Sequence, residues 1–262
     1  MNTNKQKIID LFMRNVKGRK SDTSKSNQKH DGKKGHWLEK QMGIEANASN
    51  SPDIYGYEMK NQTSSGKITF GDWSADEYIF QHGRPKKVHA TNQNYNISKN
   101  KFLEIFGKPN EKKNDRLSWS GTPCPTYINR YTSYGQILKI DNNNDIVIYY
   151  SYSQDQRYNR DEIVPITMQK ENLVLAKWYR NSIKKKLEDK FNQQGWFSCK
   201  MDKNGIYDSI HFGKPMNFET WIELLEKGIV FFDSGMYYGN NRNYSQWRAS
   251  TAFWNSLIVE SY

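Results

Sequence analysis

The sequence has few of the residues on which several classes of protein depend. Among its 262 residues only Cys124 and Cys199 are cysteines, and their spacing matches no metal-binding pattern. This excludes a disulfide-stapled scaffold and a zinc-finger domain. No apolar run is long enough to span a bilayer, and the opening Met-Asn-Thr-Asn-Lys is unlike a signal peptide. We therefore expect a cytoplasmic protein with no membrane partner.

Acidic residues are also scarce relative to basic ones. The chain has 28 Asp and Glu against 39 Lys and Arg, which gives a formal net charge of +11. Because Lys and Arg neutralise phosphates and release counterions, this balance favours a polyanion as partner. The 8 Trp and 17 Tyr indicate a folded core and argue against a basic structural protein of ribosome or chromatin type. The length fits one large domain or two lobes.

The most informative stretch runs from Ser51 to Lys60 and places Asp53, Glu58 and Lys60 within eight residues. The residues from Tyr57 to Lys60 alternate as in a strand, so Glu58 and Lys60 share one face. Two carboxylates beside an ammonium form a site for a hard divalent cation such as Mg²⁺. Such a cation polarises a phosphate, and the lysine can orient the attacking water. The alternative is a half-solvated strand with a surface ion pair.

Basic residues precede this motif. An amphipathic helix is predicted over residues 3–16, followed by a loop from Lys17 to Lys34 that carries seven basic residues against Asp22 and Asp31. Lys33 and Lys34 at its end are candidates for contact with a phosphate backbone. A solvated linker is the equally simple alternative.

A short helix is predicted from His36 to Ile44, with Gly43 as its terminator. Glu39 on this helix lies fourteen residues before Asp53. A loop of small polar residues connects the two, so Glu39 can return to the same cleft as a third carboxylate. The alternative is a surface glutamate on an exposed helix face.

Most of the remaining chain is predicted as alternating helices and hairpins. Lys67–Phe70 is expected to pair with the first strand as a hairpin, and the longest helix is expected to start near Asn172 and end at Gly195. A basic loop before the next helix supplies further candidates for phosphate contact, Arg84, Lys86 and Lys87. The other elements expected are a helix over 98–106, hairpins over 136–152 and 196–212, and a helix over 218–226.

Near the C-terminus, two strands are expected over residues 229–232 and 246–254, joined by a long basic and polar loop. Arg242, Gln246 and Arg248 are the candidates for base contacts, since Arg matches guanine and Gln matches adenine in the major groove. An ordinary surface hairpin is the alternative.

Several of these pieces occur together in a known family. They are Gly35-His36-Trp37-Leu38-Glu39, Pro52-Asp53, Glu58-Met59-Lys60, and a C-terminal pattern of Gly235, Tyr237 and Gly239 followed by Thr251-Ala252-Phe253. In this order they resemble the MvaI/BcnI restriction endonucleases, which are relatives of the mismatch-repair nickase MutH. The similarity covers both ends of the chain and leaves residues 75–135 unmatched.

The resemblance implies an α/β (α+β) fold with a PD-(D/E)xK core, in which a mixed sheet is flanked by helices and a second lobe closes a DNA cleft. One endonuclease domain would span 1–262, with the catalytic motif in 36–70 and DNA-recognition elements in 75–135 and 229–258. It further implies that Asp53 and Glu58 bind Mg²⁺, for which Mn²⁺ can substitute. Lys60 would be the catalytic lysine, and Glu39 the family's additional acidic residue.

The C-terminal region departs from the family pattern. The family has His and Arg around its base-reading hairpin, whereas this chain has Gln246, Trp247 and Arg248, and places Trp254 after Thr-Ala-Phe. No recognition sequence is therefore carried over.

The motif and the resemblance together predict a type II restriction endonuclease that cuts duplex DNA. The resemblance further implies that it acts as a monomer and is accompanied by a cognate DNA methyltransferase. The alternatives are a MutH-like strand-nicking repair endonuclease and a DNA-binding protein without catalysis.

Overall fold

The computed structural model describes residues 3–24, 32–45, 50–61, 63, 65–80 and 95–262. Its helices are α1 (Asn4–Asn15), α2 (Lys33–Gln41), α3 (Lys99–Phe106), α4 (Arg160–Ile163), α5 (Arg180–Phe191), α6 (Phe218–Glu226) and α7 (Thr251–Ser256). Its strands are β1 (Tyr57–Met59), β2 (Lys67–Asp72), β3 (Glu77–Tyr78), β4 (Lys108–Asn110), β5 (Arg116–Trp119), β6 (Tyr134–Ile140), β7 (Ile146–Asp155), β8 (Leu173–Trp178), β9 (Gly195–Met201), β10 (Tyr207–Gly213), β11 (Phe231–Ser234), β12 (Met236–Tyr237), β13 (Ser245–Ser250) and β14 (Ile258–Ser261).

The chain divides into two compact units that are not continuous in sequence. Unit 1 consists of residues 1–68, 185–221 and 249–262, and unit 2 of residues 69–184 and 222–248. Within the described part of the chain, no helix is both long and apolar enough to cross a membrane. The predicted DNA cleft between two lobes stays a prediction.

Unit 1 is built on a mixed sheet with the order β1-β9-β10-β14. Strand β1 is parallel to β9, with Glu58 opposite Trp196, whereas β9, β10 and β14 are mutually antiparallel neighbours. A parallel pair requires a long crossover connection, and here more than a hundred residues separate the two strands along the chain.

The predicted hairpin between the first strand and Lys67–Phe70 is wrong. Strand β2 lies beside β13 in another sheet, and β1 takes β9 as its neighbour. Alternation of apolar and polar residues defines a strand but carries no information about a partner that is distant in sequence.

Helices cover both faces of this sheet. On one face α1 buries Ile8, Ile9 and Phe12, and Thr3 caps this helix by accepting a 3.2 Å hydrogen bond from the Gln6 backbone N–H. These side chains join a cluster that includes Phe197 of β9.

The opposite face of the sheet is covered by aromatic side chains. Trp196 precedes Phe197 and points to the other face of β9, because successive strand side chains alternate. Its ring meets Trp254 of α7 at 5.0 Å, and Trp254 lies 5.9 Å from Phe191 of α5. The result is the expected mixed sheet flanked by helices.

Unit 2 contains three small sheets with the strand orders β3-β8-β7-β6, β12-β5-β4 and β11-β13-β2. Aromatic rings connect them: Trp178 lies 5.4 Å from Trp247 and 5.1 Å from Phe232, which in turn lies 6.1 Å from Trp119. Trp119, Trp178 and Trp247 are buried here, as expected of Trp residues in a folded core.

The long helix predicted from Asn172 is wrong in its first half. Residues Leu173–Trp178 form strand β8, and the helix starts only at Arg180. Asn172 has a positive φ of 53°, which breaks any helix at that point. Leu175 lies four residues before the next apolar residue of the helical pattern, and for this reason it was predicted to be in the helix. Residues four apart also lie on the same face of a strand, so this spacing does not distinguish the two structures.

The second C-terminal strand, expected over 246–254, is wrong in its last part, because β13 ends at Ser250 and this residue caps helix α7. The other predicted elements are confirmed, with small differences in their bounds. They are α1, α3 with its Ser98 cap, the β6–β7 and β9–β10 hairpins, α6, and the antiparallel pairing of β11 with β13. Helix α2 starts at Lys33 rather than His36, so Lys33 and Lys34 lie in its first turn and not in a loop. Basic residues are unfavourable at a helix N-terminus, so the local sequence does not mark Lys33 as the start.

Candidate active site

The site begins at the end of β1, where Glu58 and Lys60 of the motif are both buried. Glu58 is 3% exposed and Lys60 is 7% exposed. The Lys60 backbone N–H donates to the Phe197 carbonyl at 2.8 Å, so the ladder with β9 continues past the end of β1. The alternative of a half-solvated strand with a surface ion pair is therefore wrong, because both charged groups lie inside unit 1.

Asp53 is brought to the same place by a tight turn. The backbones of Ile54 and Tyr57 exchange two hydrogen bonds of 3.1 and 2.8 Å, and Gly56 between them has a φ of 83°. This turn lets the Met59 backbone N–H donate to Asp53 Oδ2 at 2.8 Å. One carboxylate oxygen of Asp53 is thereby fixed to the strand that carries Glu58.

The electrostatics indicate that the two carboxylates converge. Burial and, after it, the charge of Glu58 raise the pKa of Asp53 to about 6, although the hydrogen bond from Met59 and the charges of Lys60 and Lys190 lower it. A neighbouring cation would favour the ionised form. Asp53 and Glu58 thus form a pair of carboxylates in a poorly solvated place.

Lys60 and Lys190 both point at one oxygen of Glu58. Lys60 Nζ lies 2.9 Å and Lys190 Nζ 3.1 Å from Glu58 Oε1. Burial lowers the pKa of Lys60, while the charge of Glu58 opposes this effect. Its ammonium also lies 4.9 Å from the centre of the Phe191 ring. Lys190 was not predicted from the sequence, since nothing there distinguishes it from the other lysines of α5.

The second oxygen of Glu58 is in a different situation. Glu58 Oε2 is buried and has no hydrogen-bond partner among the described residues. A buried carboxylate oxygen without a partner is costly, and such atoms in folded proteins usually face an ion, water or ligand. Oxygen ligands of this kind, next to a second carboxylate, are those that Mg²⁺ prefers. The residues present fit a hard divalent cation.

Glu39 is not part of this cluster. It lies on α2, where its Oε2 is 3.2 Å from His36 Nδ1. In the part of the chain that the structure describes, no group of three or more His, Cys, Asp and Glu residues is placed to hold a metal ion. The structure therefore brings together Asp53, Glu58 and Lys60 and leaves Glu39 apart from them.

The candidate DNA-contacting residues fall into three groups. Lys33 is half-buried and Lys34 is exposed on the first turn of α2. Arg84, Lys86 and Lys87 lie outside the described residues. In unit 2 the Arg242 guanidinium lies 2.7 Å from Asp72 and 4.7 Å above the Tyr244 ring, while Gln246 and Arg248 project from one face of β13.

Comparison with known proteins shows the family to which this sequence belongs. The model of the LlaMI restriction endonuclease family matches residues 16–262. The type II restriction enzyme ScrFI of Lactococcus lactis subsp. cremoris is 53% identical over 272 residues, with 100% of both chains covered. This chain belongs to the LlaMI restriction endonuclease family. The prediction of a type II restriction endonuclease, a site-specific deoxyribonuclease, is confirmed.

The fold of this LlaMI-family member also has a solved counterpart. The structure of restriction endonuclease MvaI in complex with its cognate DNA substrate matches with a TM-score of 0.57, over 98% of this chain and 95% of that one. The two sequences are 14% identical, so the likeness concerns the fold alone. It confirms both the predicted restriction-endonuclease-like fold class and the resemblance to the MvaI-type enzymes.

Proposed function

We propose that this enzyme hydrolyses phosphodiester bonds of duplex DNA at a short sequence, using a divalent cation held by Asp53 and Glu58. Mg²⁺ is the expected ion, and Mn²⁺ can substitute for it. The observation that carries the proposal is Glu58 Oε2, a buried oxygen with no partner among the described residues, beside the carboxylate of Asp53. Family membership supports it independently.

The residues of the site have separate roles in the proposed reaction. When bound, the cation polarises the scissile phosphate and lowers the pKa of a water molecule. The Lys60 ammonium orients the attacking water and stabilises the negative charge that develops on the phosphate. Because this ammonium is buried, it stabilises that charge more strongly than a solvated ammonium would. Lys190 and Lys60 together fix Glu58 Oε1, which leaves Oε2 for the cation. Glu39, which the described residues do not bring into a metal-holding group with Asp53 and Glu58, is given no role in binding the cation.

The metal requirement is the first test. Purified protein incubated with unmethylated plasmid is expected to make discrete double-strand cuts with Mg²⁺ or Mn²⁺ and none with EDTA. Sequencing the fragment ends gives the recognition site. Equal cleavage with and without the chelator contradicts the metal mechanism, and nicks that never become linear product favour the strand-nicking alternative. A protein that binds plasmid but leaves it uncut under every condition favours the non-catalytic alternative.

Phosphate contacts by Lys33 and Lys34 are the second test. The logarithm of DNA affinity falls with the logarithm of salt concentration with a slope of about −0.9 per phosphate neutralised. Replacing both lysines by alanine is expected to make the slope shallower by about 2 without changing the sequence that is cut. The control is the double change of Lys203 and Lys214, which are exposed lysines elsewhere in the chain. An altered cut site would show that Lys33 and Lys34 contact bases, and an unchanged slope would exclude them from the interface.

Lys190 supplies the third test. Outer partners that orient metal ligands typically contribute 10- to 100-fold to activity, so Lys190→Ala is expected to lower the cleavage rate at saturating Mg²⁺ by about 10-fold or more. Lys190→Arg should recover part of the loss because it retains the charge. The matched control is Lys185→Ala on the same helix, whose exposed side chain pairs with Asp189 at 2.6 Å. A wild-type rate in Lys190→Ala would remove this residue from the site.

Three further features complete the proposal. The enzyme acts as a monomer on duplex DNA in the cytoplasm, cutting the two strands in successive events, as in the enzymes that it resembles. A cognate DNA methyltransferase protects the host sequence. Sedimentation of the protein with a cognate duplex and Ca²⁺ is expected to show one protein per duplex, and two copies per duplex would contradict the monomer.

A further inference from the structure

The sheet formed by β11, β13 and β2 in unit 2 has two very different faces. One face carries Phe70, Phe232 and Trp247, which are all buried, and the rings of the last two lie 4.9 Å apart. The alternating side chains point the other way. That second face carries four polar side chains, each only partly buried: Thr69, Asp233, Gln246 and Arg248.

Arg248 lies at the centre of this polar face. Its Nε donates to Thr69 Oγ1 at 3.1 Å, its Nη1 lies 3.0 Å from Asp233 Oδ2, and its Nη2 donates to Gln246 Oε1 at 2.5 Å. Every nitrogen of the guanidinium therefore has a partner on one of the three strands. The Arg248 side chain is only 21% exposed, so most of it is covered. This is the geometry of a group that holds its neighbours in place.

The contact with Arg248 fixes which end of the Gln246 amide faces inward. A guanidinium has only N–H donors, so the atom that it meets must be the amide oxygen and not the nitrogen. With Oε1 held in this way, the outward end of the amide is Nε2. No partner of Nε2 occurs among the described residues, and the atom is not buried. Gln246 thus turns its two N–H donors outward and its oxygen toward Arg248.

A residue of the neighbouring strand β11 explains why this polar face can lie against DNA although it carries a carboxylate. Asp233 lies directly across from Gln246 in the antiparallel pairing of β11 with β13. A carboxylate on its own would repel DNA, but its pairing with Arg248 cancels the local charge. The polar face is therefore neutral around the amide that it presents.

We propose that Gln246 reads the base edge as a donor only, and that Arg248, anchored by Asp233 and Thr69, is the positioning residue that sets this role. The proposal rests on the proposed cleavage of duplex DNA. The atoms that such a donor recognises in the major groove are acceptors: N7 of a purine, O6 of guanine or O4 of thymine. The bidentate pairing of Gln with adenine, which the sequence analysis expected, needs an outward oxygen to accept from the adenine amino group, and that oxygen is held by Arg248.

The test uses duplexes that contain the cut site found by fragment sequencing. One base at a time is replaced by an analogue that lacks a single major-groove atom. The 7-deazapurines lack N7, 2-aminopurine in place of guanine lacks O6, and 5-methyl-2-pyrimidinone in place of thymine lacks O4. Purine in place of adenine lacks the N6 donor. Cleavage rates are measured for wild type, Gln246→Leu, Arg248→Lys and the control Gln154→Leu, which changes an exposed glutamine of β7.

Gln246→Leu and Arg248→Lys are expected to lose the wild-type response to the analogue that lacks one particular acceptor atom. Wild type and Gln154→Leu slow on the order of 10-fold when that acceptor is removed, since one hydrogen bond is lost. Gln246→Leu is slow on the unmodified duplex and slows no further at that analogue. Arg248→Lys shows the same missing sensitivity, because lysine keeps the charge but cannot hold Thr69, Asp233 and Gln246 at once. Melting temperatures close to wild type exclude general unfolding as the cause.

The other outcomes overturn the proposal. A Gln246→Leu enzyme that keeps every wild-type sensitivity removes Gln246 from base reading. If Gln246→Leu instead loses the wild-type response to purine in place of adenine, Gln246 accepts from the adenine amino group and therefore presents its oxygen. A wild-type profile in Arg248→Lys overturns the positioning role. A wild-type protein that cuts no duplex with Mg²⁺ or Mn²⁺ fails earlier, at the proposed function itself, and the inference fails with it.

Discussion

Replacing Lys60 by alanine is expected to lower the DNA cleavage rate on the order of 100- to 1000-fold while DNA affinity changes only a few-fold. The Lys60 ammonium acts on water and on charge that develops only when the cation and the scissile phosphate are in place. Its removal therefore lowers transition-state stabilisation and leaves most ground-state contacts intact. Because one positive charge near a phosphate is lost, a small drop in affinity is also expected.

The measurement is the single-turnover cleavage rate in Mg²⁺ beside the DNA dissociation constant in Ca²⁺. Lys203→Ala is the control, since it removes the same charge from the exposed β9–β10 turn. Tightening of DNA binding by Ca²⁺ should persist in Lys60→Ala, whose carboxylates remain. A wild-type cleavage rate in this variant would reject the proposed active site.

The second large effect is expected on stability, at a buried ion pair in unit 2. Asp155 is fully buried and accepts hydrogen bonds from Arg157 Nη2 at 2.6 Å, Arg157 Nε at 3.0 Å and the Tyr150 hydroxyl at 2.9 Å. Arg157 Nη1 donates in turn to the Ile105 carbonyl at 2.8 Å. Asp155→Ala leaves a buried guanidinium and a buried hydroxyl without their acceptor, which is expected to lower the free energy of unfolding by about 3–5 kcal/mol.

Urea denaturation followed by tryptophan fluorescence measures this effect, because unit 2 has a Trp-rich core. The control is Glu104→Ala, which breaks the exposed pair of Lys101 and Glu104 at 3.0 Å and should change stability by no more than about 0.5 kcal/mol. Equal effects of the two substitutions would show that the Asp155 cluster contributes no more than a surface pair.

Much of the fold follows from local signals in the sequence. Helix α3 is defined by the Ser98 cap, the apolar residues at helical spacing and Gly107, and all of these are interactions within a few residues. The β6–β7 hairpin likewise follows from alternating residues around an Asn-rich turn. The motif of Asp53, Glu58 and Lys60 was identified for the same reason, since its members lie within eight residues.

The features that the sequence did not predict depend on contacts between distant residues. Strand β1 pairs with β9, and nothing near β1 specifies that partner. Lys190 reaches Glu58 from a helix that lies more than a hundred residues away in the chain. The donor-only presentation of Gln246 depends on Arg248 and, through it, on Asp233 of another strand. Side-chain orientation of this kind is set by packing and not by composition.

Glu58 as a ligand of the cation is the central requirement of the proposed active site, and one measurement tests this directly. DNA affinity is compared in EDTA and in Ca²⁺ for wild type and for Glu58→Gln, a change that keeps the side-chain shape and removes the charge. Wild type is expected to bind DNA more tightly in Ca²⁺ than in EDTA. Glu58→Gln is expected to bind at least as tightly as wild type in EDTA, because a carboxylate that repels DNA is gone, and to gain nothing from Ca²⁺. Tightening by Ca²⁺ in Glu58→Gln that equals the wild-type effect would contradict the proposed metal site.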